Sequence, residues 1–397
     1  MDHVLPEFPI CDLEGALEAK HDLIQSYERE LSKSQLEEAK RDYHSKKAPY
    51  PACGMTVHPA TGCSSHCLYC YVPEHQVKIS PLNGKQMAYS LLRSPFFFPG
   101  KNGTFLALGS ITDPFLPQVR DTSFAILREI HTRLGNPLQI ATKQTLSVSA
   151  LKDLDPNFLS QTCLLVSLSS WKSAEHLEPH VPTPQERLGF VKAVRTEGGS
   201  PFVFLRPMIP GITSEESESI ILALLDATPR GVVLGSLKLN HATLERLRLT
   251  IDVTEITRRL PSSILSKGFQ YIYTADLKQT LSDRIKTSGV QPLHSACCAN
   301  AASHAVPCVN ACWTNPKICS DCWNRCSDYS LPEMPDSAEL QEFIQRWLNK
   351  PSSATIDDEN RLVRLTVKRS PAMRIGIKRS LETLLRATVV VSPKKGL

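Results

Sequence analysis

No apolar run in this sequence approaches the ~20 residues that a membrane-spanning helix needs. The N-terminal stretch "MDHVLPEFPICDLEGALEAK" lacks the basic-then-apolar order of a secretory signal. These absences argue against a membrane protein and against export, so the chain is expected in the cytoplasm. Neither an internal repeat nor a low-complexity tract of any length is present. A formal net charge of +5 over 397 residues is too mild to argue by itself for nucleic acid. With hydrophobic residues at 41% and charged residues at 21%, the chain can bury a large core, and one big domain with additions is expected.

What the sequence has in excess is cysteine, thirteen in all. Thiols in the cytosol are kept reduced, so clustered cysteines there point to metal rather than to disulfides. The first cluster is "TGCSSHCLYCYVPEH" at 61–75, with Cys63, Cys67 and Cys70 spaced C-x3-C-x2-C. Three thiolates satisfy three irons of a 4Fe–4S cluster and leave the fourth iron open to an exogenous ligand, whereas structural zinc normally takes four protein ligands. Spacing alone leaves two other readings open: a zinc site completed by His66 or His75, and three unrelated buried thiols. The second cluster, "CCANAASHAVPCVNACWTNPKICSDCWNRC", places Cys297, Cys298, Cys308, Cys312, Cys319, Cys322 and Cys326 within thirty residues. The C-x3-C pair Cys308/Cys312 and the C-x2-C pair Cys319/Cys322 suit a four-thiolate site. A second iron–sulfur cluster and a zinc ion both fit that uneven spacing, and His294 and His304 are spare ligands.

Four stretches are expected along the chain. Residues 1–50 carry dense charge on helix-forming residues and predict a helical arm. In 51–290, six β-rich runs alternate with helical stretches: "GMTVHPA", "TFLALGS", "LQIATK", "CLLVSLSS", "FVFLRPMI" and "GVVLGSLKL". That alternation predicts a parallel α/β sheet or barrel, with the first cysteine loop at the C-terminal ends of the strands, where such folds keep their sites. Residues 291–330 form the second cysteine field, and 331–397 a helical, basic tail. From 361 onward ten Lys or Arg face one Glu, a composition able to track phosphates or simply to be solvated.

The motif C-x3-C-x-aromatic-C, with Tyr69 in the aromatic slot, resembles the signature of the radical S-adenosylmethionine (SAM) superfamily. Further stretches resemble its spore photoproduct lyase-like, or DNA repair photolyase-like, branch, in that branch's order: "GSITDPFLP" from Gly109, "ATK" ending at Lys143, "LEPHVPTPQERL" from Leu177 and "RPMIPGI" from Arg206. Together they cover about residues 55 to 240.

The resemblance implies a partial (β/α)6 barrel with a helical arm and a Cys-rich extension, and it implies a catalytic 4Fe–4S cluster, SAM, and an electron donor such as a flavodoxin or ferredoxin. It implies reductive cleavage of SAM to a 5′-deoxyadenosyl radical, with nucleic acid as the expected substrate. Alternatives are a peptide or small metabolite, or a non-catalytic zinc-binding or nucleic-acid adaptor. Tyr69 would lie against adenine or simply pack; Gly109 and Ser110 would meet the SAM amino group. Lys143 would face a carboxylate. Ser167 and Ser169, alternating on one strand, would bond ribose or carboxylate. Arg187 would clamp a carboxylate, with an ion pair to Glu178 as its rival. The chain departs from the branch in three places: "GSITDPF" lacks a hydrogen-donating cysteine, and Gln144 and Val119 stand where relatives carry serine and glutamate. Direct repair of the spore lesion is therefore not expected.

Overall fold

The computed structural model describes residues 13–46, 50, 54–72, 75–260, 268–309, 329 and 331–393. The arm forms two helices, α1 (Leu13–Glu30) and α2 (Lys33–Arg41). On α1 the buried positions Leu13, Ala16, Leu17 and Lys20 recur at helical spacing, which turns one face inward. Helix α2 starts at Ser32, whose side chain accepts from Gln35 N while the Gln35 side chain returns a bond to the cap, so two open N–H groups are satisfied at once.

The six anticipated runs form strands β1 (Met55–Thr56), β2 (Leu106–Leu108), β3 (Leu138–Thr142), β4 (Cys163–Leu168), β5 (Phe202–Met208) and β6 (Val232–Ser236). A seventh, β7 (Pro292–Leu293), joins beyond β6. The sheet is parallel, runs in sequence order β1 to β7 and is not closed. Two-residue strands such as β7 leave no periodic signal in a sequence. The tail of the sixth run turns away: Lys238–Leu239 pair antiparallel with Gln270–Tyr271.

Strand β4 is buried along its whole length, as a parallel strand covered on both faces must be. Its alternate residues separate two environments. Leu164, Val166 and Leu168 join a core with Leu188, Val191 and Val194 of α5 (Pro184–Thr196), whereas Cys163 and Leu165 face α8 (Ala296–His304) on the inner side. Helix α8 crosses that inner face: Asn300 Nδ2 donates to Pro137 O (3.3 Å), and His304 Nε2 accepts from Leu138 N (3.2 Å). The outer face carries α3 (Gly84–Arg93), α4 (Arg120–Glu129), α5, α6 (Ser217–Ala227) and α7 (Ala275–Thr287).

The stretch expected to be a basic tail is instead a folded unit. It runs α9 (Ser337–Leu348), β8 (Ser352–Asp357), β9 (Leu362–Val367), α10 (Pro371–Leu385) and β10 (Thr388–Pro393), with β8–β9 antiparallel and β9–β10 parallel. Its charges are largely occupied. Arg361 donates to the Arg386 and Leu385 carbonyls (3.2 and 2.5 Å), Arg369 to Leu348 O (2.5 Å) and buried Arg386 to Pro307 O (3.0 Å). The composition counted these arginines as a surface charge, whereas folding uses them to satisfy carbonyls that helix ends leave open.

The arm and the C-terminal unit meet at the loop "SPFFFPG", whose Phe96, Phe97 and Phe98 are buried. Trp347 Nε1 donates to Pro95 O (2.8 Å) and Ser380 Oγ to Phe96 O (3.1 Å). Lys20, itself buried, donates to Ser94 O (2.6 Å) and Phe97 O (2.7 Å). Lys20→Met should strip both carbonyls of that donor and lower the unfolding free energy by about 2–4 kcal/mol. The urea midpoint of the full chain measures it, and an unchanged midpoint would show that the arm docks without these bonds.

Candidate active site

A cavity of about 570 Å³ opens on the inner face of the sheet, within the usual range for small-molecule sites. Strand parity decides its lining. Ala107, Gln139, Ala141, Ser167, Arg206 and Gly235 all point inward, alternating with residues of the outer core. Two glycines allow close approach. Gly109 has φ +97°, and a Cβ there would collide with the Ala141 carbonyl oxygen. At Gly235 a Cβ would meet Arg206 Cγ and Cδ at 2.7 Å, so its absence lets that side chain lie across β6.

Cys63, Cys67 and Cys70 line this cavity on the loop after β1. The loop is pinned by its backbone: Leu68 N donates to Leu177 O (3.0 Å), Arg246 Nη2 to Cys70 O (2.9 Å) and Cys70 N to Cys67 O (3.0 Å). It is also pinned through Tyr69, whose hydroxyl donates to the Glu178 carboxylate. Tyr69 is buried, with its ring at the cavity wall and Lys143 Nζ 5.5 Å from the ring centroid. Burial pushes the Cys67 thiol up to about 12, against the pull of Lys143. A metal taking these sulfurs must displace their protons, so loading is favoured as pH rises.

Glu178 collects the charges around the loop. It accepts from Ser169 Oγ (2.8 Å) and from Arg187 Nη2 (2.5 Å), and Arg187 Nη1 donates to Ser167 O (2.7 Å). Burial would raise its pKa, but the Arg187 and Lys143 charges and the Tyr69 and Ser169 bonds outweigh it and hold the carboxyl below its ordinary value. Of the expected site residues, Gly109, Ser110, Lys143 and Ser167 reach the cavity. Ser169 and Arg187 do not. Both are fully buried and engaged by Glu178, so the ion pair, rather than a free carboxylate clamp, is the arrangement of Arg187.

Asp113 takes a positioning part. It accepts from Thr142 Oγ1 (2.8 Å), Lys143 N (2.6 Å) and Phe115 N (3.0 Å), which ties the loop after β2 to the end of β3 and sets where Lys143 begins.

Three polar atoms of the same cavity bear on whether its residues fit a cluster and SAM. Ser110 Oγ, Thr112 Oγ1 and Gln139 Oε1 are shielded from solvent, and no described residue bonds them. All three residues line the cavity. Buried polar atoms are rarely left unpaired, so these three are available to a ligand with polar groups of its own. The donor set is compatible with such a group: Cys63, Cys67 and Cys70 are the thiols that could hold iron, and Lys143, Ser110 and Ser167 line the same cavity.

Sequence reasoning passed over three residues at the same cavity. Arg206 follows from parity with Phe202 and Phe204, a signal that was available. Lys238 and Tyr271 also line it, and the Lys238 ammonium lies 5.6 Å from the ring centres of Tyr71 and Tyr271 and 5.9 Å from that of Phe269. That group forms only when the Lys238–Leu239 ribbon pairs, which no local pattern announces. In the second cysteine field, Cys297, Cys298 and Cys308 are buried beside α8, and Cys312, Cys319, Cys322 and Cys326 lie outside the described residues.

No family model matches this sequence. Over 205 residues it is 26% identical to uncharacterized proteins of Mycobacterium tuberculosis and Mycobacterium bovis, a match covering 47% of this chain and 60% of theirs. Over 176 residues it is 27% identical to an uncharacterized protein of Acidianus two-tailed virus, covering 40% and 56%. The chain thus spans about 60% of the length of the curated relatives it matches. Among solved structures it is similar to a spore photoproduct lyase double mutant with bound AdoMet and dinucleoside spore photoproduct. The TM-score is 0.50 and the identity 16%, over 64% of this chain and 81% of that one. A single mutant of the same enzyme gives TM-score 0.50 and 15% identity. The chain therefore has an open α/β fold similar to that of spore photoproduct lyase. Among the described residues no helix is long and apolar enough to cross a membrane.

The loop's anchorage is testable. Glu178→Ala leaves Arg187 buried without its counter-charge and should lower the unfolding free energy by about 3–5 kcal/mol. Lys152→Ala, which breaks the exposed pair with Glu197, should change it by less than about 1 kcal/mol. Equal effects in urea denaturation would show that the buried pair is not special.

Proposed function

We propose that this protein is a radical SAM enzyme acting on a nucleotide-bearing substrate. The observation that carries the class is the convergence of Cys63, Cys67 and Cys70 with the shielded, unbonded hydroxyls of Ser110 and Thr112 on one cavity of this fold. When bound, the cluster and SAM would supply a one-electron reductive cleavage that yields a 5′-deoxyadenosyl radical. The chain's own residues bind and orient. Lys143 presents a positive charge to a carboxylate, Tyr69 is held against the cavity wall by Glu178, and the buried aromatic and aliphatic surround excludes water.

The substrate class rests on the cations that line the cavity. Arg206 and Lys238 place two cations there beside Tyr71 and Tyr271, a combination suited to a phosphate and an adjoining base. The folded C-terminal unit contributes less than its composition suggested, because most of its arginines already donate to carbonyls. A peptide or small metabolite is the competing substrate class. An electron donor such as a flavodoxin or ferredoxin would be required to reduce the cluster.

Anaerobic reconstitution with iron and sulfide should give a brown protein that forms 5′-deoxyadenosine from SAM when reduced with dithionite. The triple change Cys63→Ala, Cys67→Ala, Cys70→Ala should abolish both colour and product at this site, and product formation by that variant would overturn the class.

For the substrate, binding of DNA and RNA oligonucleotides should be followed across a salt series. Arg206→Gln and Lys238→Gln should each weaken binding and flatten the log–log salt slope by about 0.9 for a lost duplex phosphate contact. If the unsubstituted protein binds neither polymer at low salt, the substrate is a peptide or small metabolite instead.

A further inference from the structure

The second cysteine field contains a geometric feature that its spacing did not suggest. Among the described residues, one group of metal-capable side chains has its ligand atoms all within 4.8 Å of one another, and it is Cys297, Cys298 and Cys308. The first two open α8, and the third follows the chain reversal at Ala305, whose φ is +49°. Val306 N bonds Ala301 O (3.1 Å), so the chain doubles back along the helix and brings Cys308 to its first turn. All three are at most 3% exposed, in an apolar shell with Leu165, Phe202 and Val233.

We propose that Cys297, Cys298 and Cys308 hold a single zinc ion that clips the first turn of α8 to the returning segment and so fixes the inner wall of the cavity. Sulfur spacing separates this from a second iron–sulfur cluster. Tetrahedral zinc with Zn–S near 2.3 Å puts neighbouring sulfurs about 3.8 Å apart. Each cysteine of a four-iron cluster ligates a different iron, which spreads the sulfurs to roughly 6 Å. The observed grouping suits one ion. Thiolate ligands favour zinc over harder divalent cations. Ser295 Oγ lies 3.0 Å from Cys297 Sγ and 3.2 Å from Cys298 Sγ, a hydroxyl in reach of two sulfurs, as an outer partner that orients thiolate ligands should be. The placement gives the ion its consequence. His294, Ser295 and Ala296, immediately before these cysteines, line the cavity that the first cysteine loop also faces. The inference stands whether or not the cavity cleaves SAM.

The test uses the full chain with Cys63, Cys67 and Cys70 changed to Ala, purified without oxygen, so that metal at the first loop is not counted. Elemental analysis should find about one zinc per chain and no acid-labile sulfide. Adding Cys297→Ser, Cys298→Ser and Cys308→Ser together should remove it. Zinc-edge X-ray absorption on the protein without those serines should show at least three sulfurs at about 2.3 Å, a readout that does not depend on the serine variant folding. Roughly four irons with sulfide, a folded protein without metal, zinc that survives the serine changes, or a shell dominated by nitrogen and oxygen would each overturn the proposal.

Discussion

The carboxylate of Glu178 lies buried beneath the cysteine loop and accepts bonds from three parts of the chain: Tyr69 on the loop, Ser169 beyond β4 and Arg187 on α5. Its neighbour Leu177 adds a backbone bond to Leu68. A buried ion pair of this kind contributes little net stability over an apolar substitute, yet removing either partner leaves a charge with nowhere to go. Its value here is positional. Loop, strand end and helix must occupy one arrangement for every donor to be satisfied, and that arrangement turns the cysteines toward the cavity. Arg187 is the clearest consequence, because a guanidinium committed to Glu178 and to the Ser167 carbonyl is withdrawn from ligand binding.

The cavity is a product of parity. Each sheet strand gives its odd or even residues to the outer helices and the others to the inner face, so Gln139, Ser167 and Arg206 arrive at one space from three separate strands. Helix α8 covers one part of that inner face with alanine and cysteine, joined by Val306 and Val309 from the segment after it, and the cavity opens on the rest. Lys143, Arg206 and Lys238 bring three cations to the cavity lining, against the single carboxylate of Asp113 among the described residues. The positive charge proposed to meet a substrate thus belongs to the cavity rather than to the C-terminal unit. There, Arg361 and Arg369 bond the carbonyls at the ends of α10 and α9, and Arg386 joins the unit to the Pro307 segment beside the second cysteine group.

Much of the architecture was legible in the sequence, because what marks it is local. Six apolar runs separated by helical stretches became six parallel strands in the same order, and the N-terminal periodicity became α1 and α2. Cys63, Cys67 and Cys70 could be placed on a loop after the first strand, since spacing and position are both properties of a short segment. The alternation that carried Ser167 to the cavity would have carried Arg206 as well. It failed at Ser169, where the strand has already ended and the side chain turns to Glu178.

Other features depend on which distant segments meet. The convergence of Cys308 with Cys297 and Cys298 needs the left-handed turn at Ala305. The placing of Lys238 among aromatic rings needs an antiparallel ribbon with Gln270–Tyr271. The basic residues after 361 read as a charged tail until helix ends supplied them with carbonyls. Periodicity and spacing are written residue by residue, so the sequence by itself determined the elements, their order and the first set of thiols. Which buried charge finds which partner, and which thiols share one point in space, depends on the closing of long loops, and only the tertiary structure decided it.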